Sequence, residues 1–252
     1  MRTLYVAWQD PGPSRAWYPI GRLDAETTAP AYTFRYVQGA VRAQREGSFR
    51  PLFAFPNLEE RYVSAELFPL FKNRVLGSNR REFGDYLRWL DLDPAHSDPI
   101  EILAVSGGER QTDSLEVFPR IQARPDGTFV CRFFIHGLRH VPDAARLRAE
   151  SLRSGETLQV ALEINNPAAA VALQIQTQDG HPLGWAPRYL VASLLSAISA
   201  HPTVSAKVVR ANEEAAPFAR RILVEIEGRL PPEQTLMSGP DFAPLAAEPV
   251  TH

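Results

Sequence analysis

Asp91, Asp93, His96 and Asp98 fall within eight residues (DLDPAHSD), and carboxylates with an imidazole at that spacing are donors a divalent cation takes. A plainer reading competes and is preferred. Asp93-Pro94 and Ser97-Asp98-Pro99 are helix-stop and turn chemistry, in which short polar side chains bond the nearby backbone. His136 and His140 stand four apart, the spacing that puts two zinc ligands on one helical face. The residues before them read as strand and Gly137 follows at once, so no metal site is expected. Ser106-Gly107-Gly108-Glu109-Arg110 could offer backbone N–H groups to an anion, against the simpler expectation of a turn. Asp24-Ala25-Glu26 and Glu59-Glu60 read as solvated loop charges. Elsewhere there is no Cys-x-x-Cys pair, Gly-x-Ser-x-Gly elbow, phosphate-cradling loop or Ser/His/Asp set. The expectation is a binding protein without cofactor, not an enzyme.

Composition narrows the binding classes. The chain has 252 residues, 44% hydrophobic and 22% charged, ordinary for a globular protein with room for two modest domains. The net charge is -2. Residues 1–125 hold sixteen basic and sixteen acidic side chains and residues 126–229 eleven against ten, so any contact with nucleic acid must be a local patch. Met1-Arg2-Thr3 runs into an alternating strand, not an apolar signal core, and no apolar run reaches spanning length. A cytoplasmic setting is expected. The single cysteine, Cys131, lies in an apolar strand run and reads as a small core residue.

The elements follow from periodicity. Leu4–Trp8, Trp17–Leu23 and Tyr32–Tyr36 alternate and are rich in aromatic and β-branched residues, which predicts a three-stranded antiparallel unit. Apolar positions through Phe83, Tyr86, Leu87 and Leu90 predict a helix. In the second half Leu158, Val160, Leu162 and Ile164, then Val171, Leu173 and Ile175, recur at period two. Asp179-Gly180 suits the tight turn before a short strand at Leu183–Trp185. Pro187 then opens a helix carrying Leu190, Val191, Leu194, Leu195 and Ile198. Phe129–Ile135, Val204–Val209 and Ile222–Ile226 complete about six strands. The fold class expected is α+β and mostly β: a small N-terminal α+β domain with an antiparallel sheet, and a C-terminal SH3/OB-like β-barrel of about six strands with one helix. Past Leu230 the chain is Pro-rich and aperiodic, which predicts a mobile tail whose Leu236-Met237 and Phe242 dock on a partner.

The order from Thr157 to Leu195, with its strand, Asn165-Asn166-Pro167, strand, Asp179-Gly180 turn, Gly184-Trp185-x-Pro187-Arg188 and helix, resembles the HIRAN domain. That module grips the free end of single-stranded DNA in repair translocases. The resemblance implies a nucleic-acid site. An arginine-aromatic pair meets DNA in the family, and here Gly137-Leu138-Arg139-His140 occupies that place, which makes Arg139 a phosphate contact and His140 a stacking platform. Trp185 lies where the family often has an aromatic residue or histidine near the groove, with Arg188 and Tyr189 following on the first helical turn. Trp185 reads equally as core, and Arg139 and Arg188 as solvated surface. The family's Tyr-Asp after Asn-Asn-Pro is replaced by Ala168-Ala169. Alanine has neither a π-face nor a carboxylate, and one lost stacking contact costs about 1–3 kcal/mol.

Residues 3 to 120 carry a second resemblance, to the small N-terminal subdomain of HipA-type serine/threonine kinases. The Leu4–Trp8 strand, Ile20-Gly21-Arg22-Leu23, Thr33-Phe34-x-Tyr36, Leu52–Pro56, Glu66-Leu67-Phe68-Pro69-x-Phe71-x-Asn73 and Pro99–Gly108 carry it, and the kinase signatures are missing. The organisation expected is a HipA-like module at 1–122, a HIRAN-like barrel at 123–230 and a tail at 231–252. The function expected is nucleic-acid binding, DNA above all, coupled to a protein-interaction module. The alternative is an antitoxin-like regulatory subunit that restrains a HipA-type kinase without binding nucleic acid.

Overall fold

The alternating runs form strands, and the structure, a computed structural model, describes residues 1–26, 31–95, 97–110 and 112–246. In chain order these are β1 (Arg2–Gln9), β2 (Trp17–Glu26), β3 (Ala31–Tyr36), α1 (Gln38–Glu46), β4 (Tyr62–Ser64) and α2 (Pro69–Lys72). Next come α3 (Phe83–Trp89), α4 (Pro99–Ser106), β5 (Leu115–Pro119), β6 (Thr128–Phe134) and α5 (Asp143–Glu150). The last are β7 (Thr157–Asn166), β8 (Ala170–Thr177), β9 (Pro182–Trp185), α6 (Arg188–Ala200), β10 (Val204–Ala211) and β11 (Ile222–Arg229). Two units result, one of Met1–Leu76, Asp98–Arg120 and Met237–His252, the other of Gly77–Ser97 and Ile121–Leu236. No helix among the described residues is long and apolar enough to cross a membrane.

The first unit is built on an antiparallel sheet of order β4-β3-β2-β1-β5. Leu4, Leu23 and Phe34 lie opposite one another in register and share its core face. Phe34 stacks on Phe55 with centroids 4.0 Å apart. The buried Tyr36 hydroxyl accepts from the Leu52 N–H (2.6 Å) and donates to the Phe55 carbonyl (2.7 Å), tying the loop after α1 to the sheet. Burial pushes that phenol's pKa well up. On the opposite face Asp24 corrects an expectation: it is a buried strand residue, not a solvated loop charge. Its carboxylate accepts from the Thr3 hydroxyl (2.6 Å), Arg22 (2.9 Å) and Arg35 (3.4 Å), and those partners are what make burial of the charge tolerable.

The expected mobile tail is also corrected over residues 231–246, its last six residues lying outside the described ones. Met237 is buried, and the Phe242 ring meets Tyr5 edge-on at 4.8 Å. Pro244 bridges Val37, and the Leu245 N–H donates to the Tyr36 carbonyl (2.9 Å). Backbone pairing at the end of β3 orders a segment that has no periodicity of its own.

In the second unit the sheet order is β6-β11-β10-β7-β8-β9. All six strands lie where periodicity put them, but the sheet, expected closed or nearly closed as a barrel, does not close into one. The outer strands β6 and β9 share no ladder and meet at one isolated bridge, His136 with Trp185. β7 pairs with β10 only at Leu158 and Thr157, so the backbone ladder of its outer half is with β8 alone. The helix count is corrected too: α5 and α6 both lie in this unit, and α3 joins them. The Asn212 amide donates to the Trp89 carbonyl (2.9 Å), Arg210 pairs with Asp91 (3.1 Å), and Arg220 lies over the Tyr86 ring (5.4 Å).

Cys131 is buried on β6 and its thiol is pushed up to about 12 by that burial. Beside it, Glu225 on β11 accepts from Arg132 (2.6 Å) and Lys207 (2.8 Å) on the two neighbouring strands. Burial alone would raise this carboxyl, yet the two cationic hydrogen bonds outweigh it and hold its pKa below the ordinary glutamate value. A carboxyl depressed by folding stabilises above its unfolded pKa of about 4.3, and the contribution vanishes as pH falls through the folded value. Glu225→Gln is therefore expected to lower the melting temperature at pH 7, with the gap to wild type closing below about pH 4. A gap of the same size at pH 3 and pH 7 would contradict this.

Candidate functional site

The structure brings all five sequence-predicted residues to one place, where the outer strands meet. After β6 the Ile135 N–H donates to the Ile222 carbonyl (3.0 Å), and His136 then exchanges both backbone hydrogen bonds with Trp185 (2.9 Å each). Gly137 turns the chain with φ 78°, a left-handed conformation suited to glycine. A single 3-10 turn, Leu138–His140, follows, with Leu138 buried beneath it. Arg139 and His140 are thereby exposed, and Arg139 Nε donates to His140 Nε2 (3.0 Å).

The opposite wall comes from the β9–α6 junction. Gly184 has φ 134° and lies so close to the 135–136 backbone that a Cβ there would fall 2.3 Å from the His136 carbonyl oxygen. Trp185 is half-buried. Its benzo ring lies on Gly137, where a Cβ would come within 2.7 Å of the ring. Its Nε1–H donates to the Glu163 carboxylate on β7 (2.5 Å). The Ala186 N–H donates to Leu173 on β8 (2.9 Å), and Pro187 caps α6, so Arg188 and Tyr189 are its first two residues, both half-buried. The Tyr189 ring stands edge-on to His136 at 6.4 Å. The five residues thus flank one backbone junction, with the Trp185 indole held by Gly137 and Glu163 and the Tyr189 ring standing against His136.

The other candidates resolve into structure. Asp91 pairs with Arg210, and the Asp93 carboxylate accepts from the Ala95 N–H (2.9 Å). Asp98 caps α4 by accepting from the Glu101 N–H (2.8 Å) and pairs with Arg2. His96 lies outside the described residues. No group of three or more His, Cys, Asp or Glu among the described residues could hold a metal ion. The Gly107 N–H goes to the Leu103 carbonyl and the Gly108 N–H to the Ser106 hydroxyl, so the glycine pair ends α4 with its donors already used.

Sequence and architecture here agree with an independent comparison. Residues 128–230 match the HIRAN domain model. The HIRAN match opens with β6 and closes just past β11, so it contains the whole six-stranded sheet and every residue of the cluster. Residues before 128 lie outside it. No curated protein and no solved structure matches the chain. Ala168 and Ala169 form the tip of the β7–β8 hairpin. Both backbone N–H groups donate to the Asn166 side chain (3.0 and 3.1 Å). The tip is thus a locally satisfied turn without a stacking ring. Sequence reasoning weighed His136 only as a metal ligand, quoted Gly137 and Gly184 without their close approaches, and missed Glu163. Period two does place Glu163 on the face away from Leu162 and Ile164, but its meeting with Trp185 crosses two strand pairings and a bulge between Ile175 and Gln176, which periodicity cannot locate.

Proposed function

We propose that this protein is a non-catalytic, cytoplasmic nucleic-acid-binding protein whose second unit holds DNA against the surface around the His136–Trp185 bridge. The observation that carries this reading is the convergence of Arg139, His140, Trp185, Arg188 and Tyr189 at one backbone junction inside a HIRAN-matching segment. HIRAN domains bind nucleic acid. Arginines supply phosphate contacts, and an indole and imidazole supply stacking faces, which is the composition of a single-strand binder. With a charge near zero overall, affinity rests on this patch and falls steeply with salt. Ala168 and Ala169 remove the family's terminal contacts, so a preference for a free end is weakened. The first unit, on its resemblance to the HipA subdomain, serves as the protein-interaction module of the pair.

Fluorescence anisotropy with labelled single-stranded and duplex DNA, at low and moderate salt, tests the reading. The Arg139→Ala, Arg188→Ala double variant is expected to bind about 10- to 100-fold more weakly, with a salt slope shallower by about 2. Wild-type affinity no better than millimolar at low salt would end the nucleic-acid reading. The remaining role would then be regulatory, and capture of a HipA-type kinase by the first unit its test.

A further inference from the structure

Glu163 is an acid within a surface otherwise suited to a polyanion, and its placement is specific. The indole of Trp185 is fixed at three points: its backbone pairs with His136 in both directions, its benzo ring rests on Gly137, and its N–H is held by the Glu163 carboxylate at 2.5 Å. The first two contacts fix the residue and one side of the ring. Only the third fixes the rotation that decides where the pyrrole edge points. The strands supply the reason Glu163 reaches. Ala161 lies opposite Gln174 and Gln174 opposite Trp185, while Glu163 lies opposite Ala172. The β8 residue opposite Glu163, Ala172, is small, and the carboxylate crosses β8 to reach the indole.

We infer that Glu163 is a positioning and specificity residue of the Trp185 site: it locks the indole as a stacking platform, and its charge bars a phosphate from the ring's N–H edge. The inference rests on the nucleic-acid reading above. With its N–H already engaged, the indole has no hydrogen bond to give a ligand. Contact with it is therefore through the ring face, which every base can meet equally. Phosphates are steered to Arg139 and Arg188. The carboxylate works against total affinity, because it repels a polyanion, and contributes to where that polyanion lies.

Two substitutions separate the halves of this claim. Glu163→Gln keeps an oxygen acceptor for the indole and removes the charge. Glu163→Ala removes both. With fluorescein-labelled oligodeoxythymidine at low salt, Glu163→Gln is expected to bind about threefold more tightly than wild type, the gain shrinking as salt screens the charge. Glu163→Ala is expected to bind about fivefold more weakly than Glu163→Gln, since the freed indole must be ordered on binding. Indole N–H resonances of the four tryptophans give a readout without ligand. The Trp185 signal, assigned through Trp185→Phe, should stay near its wild-type position in Glu163→Gln and move in Glu163→Ala. An unmoved signal in Glu163→Ala refutes the positioning role. Binding by wild type with no gain in Glu163→Gln refutes the charge role and leaves the nucleic-acid reading standing. A wild type that binds no oligonucleotide overturns that reading and the charge role together, while the resonances still decide the positioning.

Discussion

Gly184→Ala is expected to lower the stability of the second unit by about 4 kcal/mol or more, in the range reserved for backbone conflict. Gly184 has φ 134°, where L side chains are strained, and a Cβ there would lie 2.3 Å from the His136 carbonyl oxygen and 2.6 Å from Ile135 Cγ2. Neither atom has room to yield. The His136 carbonyl is the acceptor for the Trp185 N–H, and Ile135 is buried. The methyl therefore breaks the bridge on which the candidate site is built. Gly180→Ala is the control. Gly180 also has positive φ, 83°, but no atom lies within 4 Å of its would-be Cβ, so only the left-handed penalty of about 1 kcal/mol applies. Urea unfolding of both variants decides the matter. Because the chain has two units, the transition to follow is that of the second, read by a probe within residues 121–236. Equal costs for the two substitutions would show that the β6–β9 approach is looser than described.

How far the sequence announces this architecture depends on the range of the interaction that makes each element. Strand faces are only partly local: Leu158, Leu173 and Ile175 are buried as their period-two spacing predicts, whereas Leu162, Ile164 and Val171, toward the β7–β8 hairpin tip, are exposed. The helix after Pro187 is local, with Leu190, Leu194 and Ala197 on its buried side. α5 escaped notice because its buried residues are only Ala145 and Ala149, too small to leave a hydrophobic pattern. The assignment of α3 to the second unit rests on Asn212, Arg210 and Arg220 reaching back over a hundred residues, and no window along the chain contains that. Sheet closure failed as an expectation for the same reason. Six strands satisfy a barrel's count, but whether the last ladder zips depends on bulges at Ile164/Asn166, Ile175/Gln176 and Val208/Arg210, which re-aim strands without changing their composition. The site was half legible. Residue types at the turn after β6 and the start of α6 were readable through a family likeness, whereas Glu163 enters only once register is known.

Arg74→Met is expected to destabilise the first unit by about 3–5 kcal/mol, the cost of leaving buried polar partners without their cation. The Arg74 side chain is 1% exposed. It donates to the Gly108 carbonyl (2.9 Å) and the Leu115 carbonyl (3.5 Å) and is paired with Asp113. These partners bracket the chain from the end of α4 to the start of β5, so one guanidinium holds both sides of the Gly107-Gly108 turn. Glycine at 108 follows from this arrangement: a Cβ there would sit 3.2 Å from Arg74 Cβ and 2.9 Å from Leu103 Cδ2, at φ 58°. A glycine pair that could be taken for an anion cradle is instead the gap through which an arginine passes. Arg74→Lys distinguishes fork from charge. An ammonium can keep the pairing with Asp113 but cannot span both carbonyls, so the lysine variant should recover less than half of the loss. Thermal unfolding of the two variants beside Asp113→Asn measures the split. Arg74→Met within about 1 kcal/mol of wild type would mean that the turn is held by its own backbone bonds, and the guanidinium merely fills the space they leave.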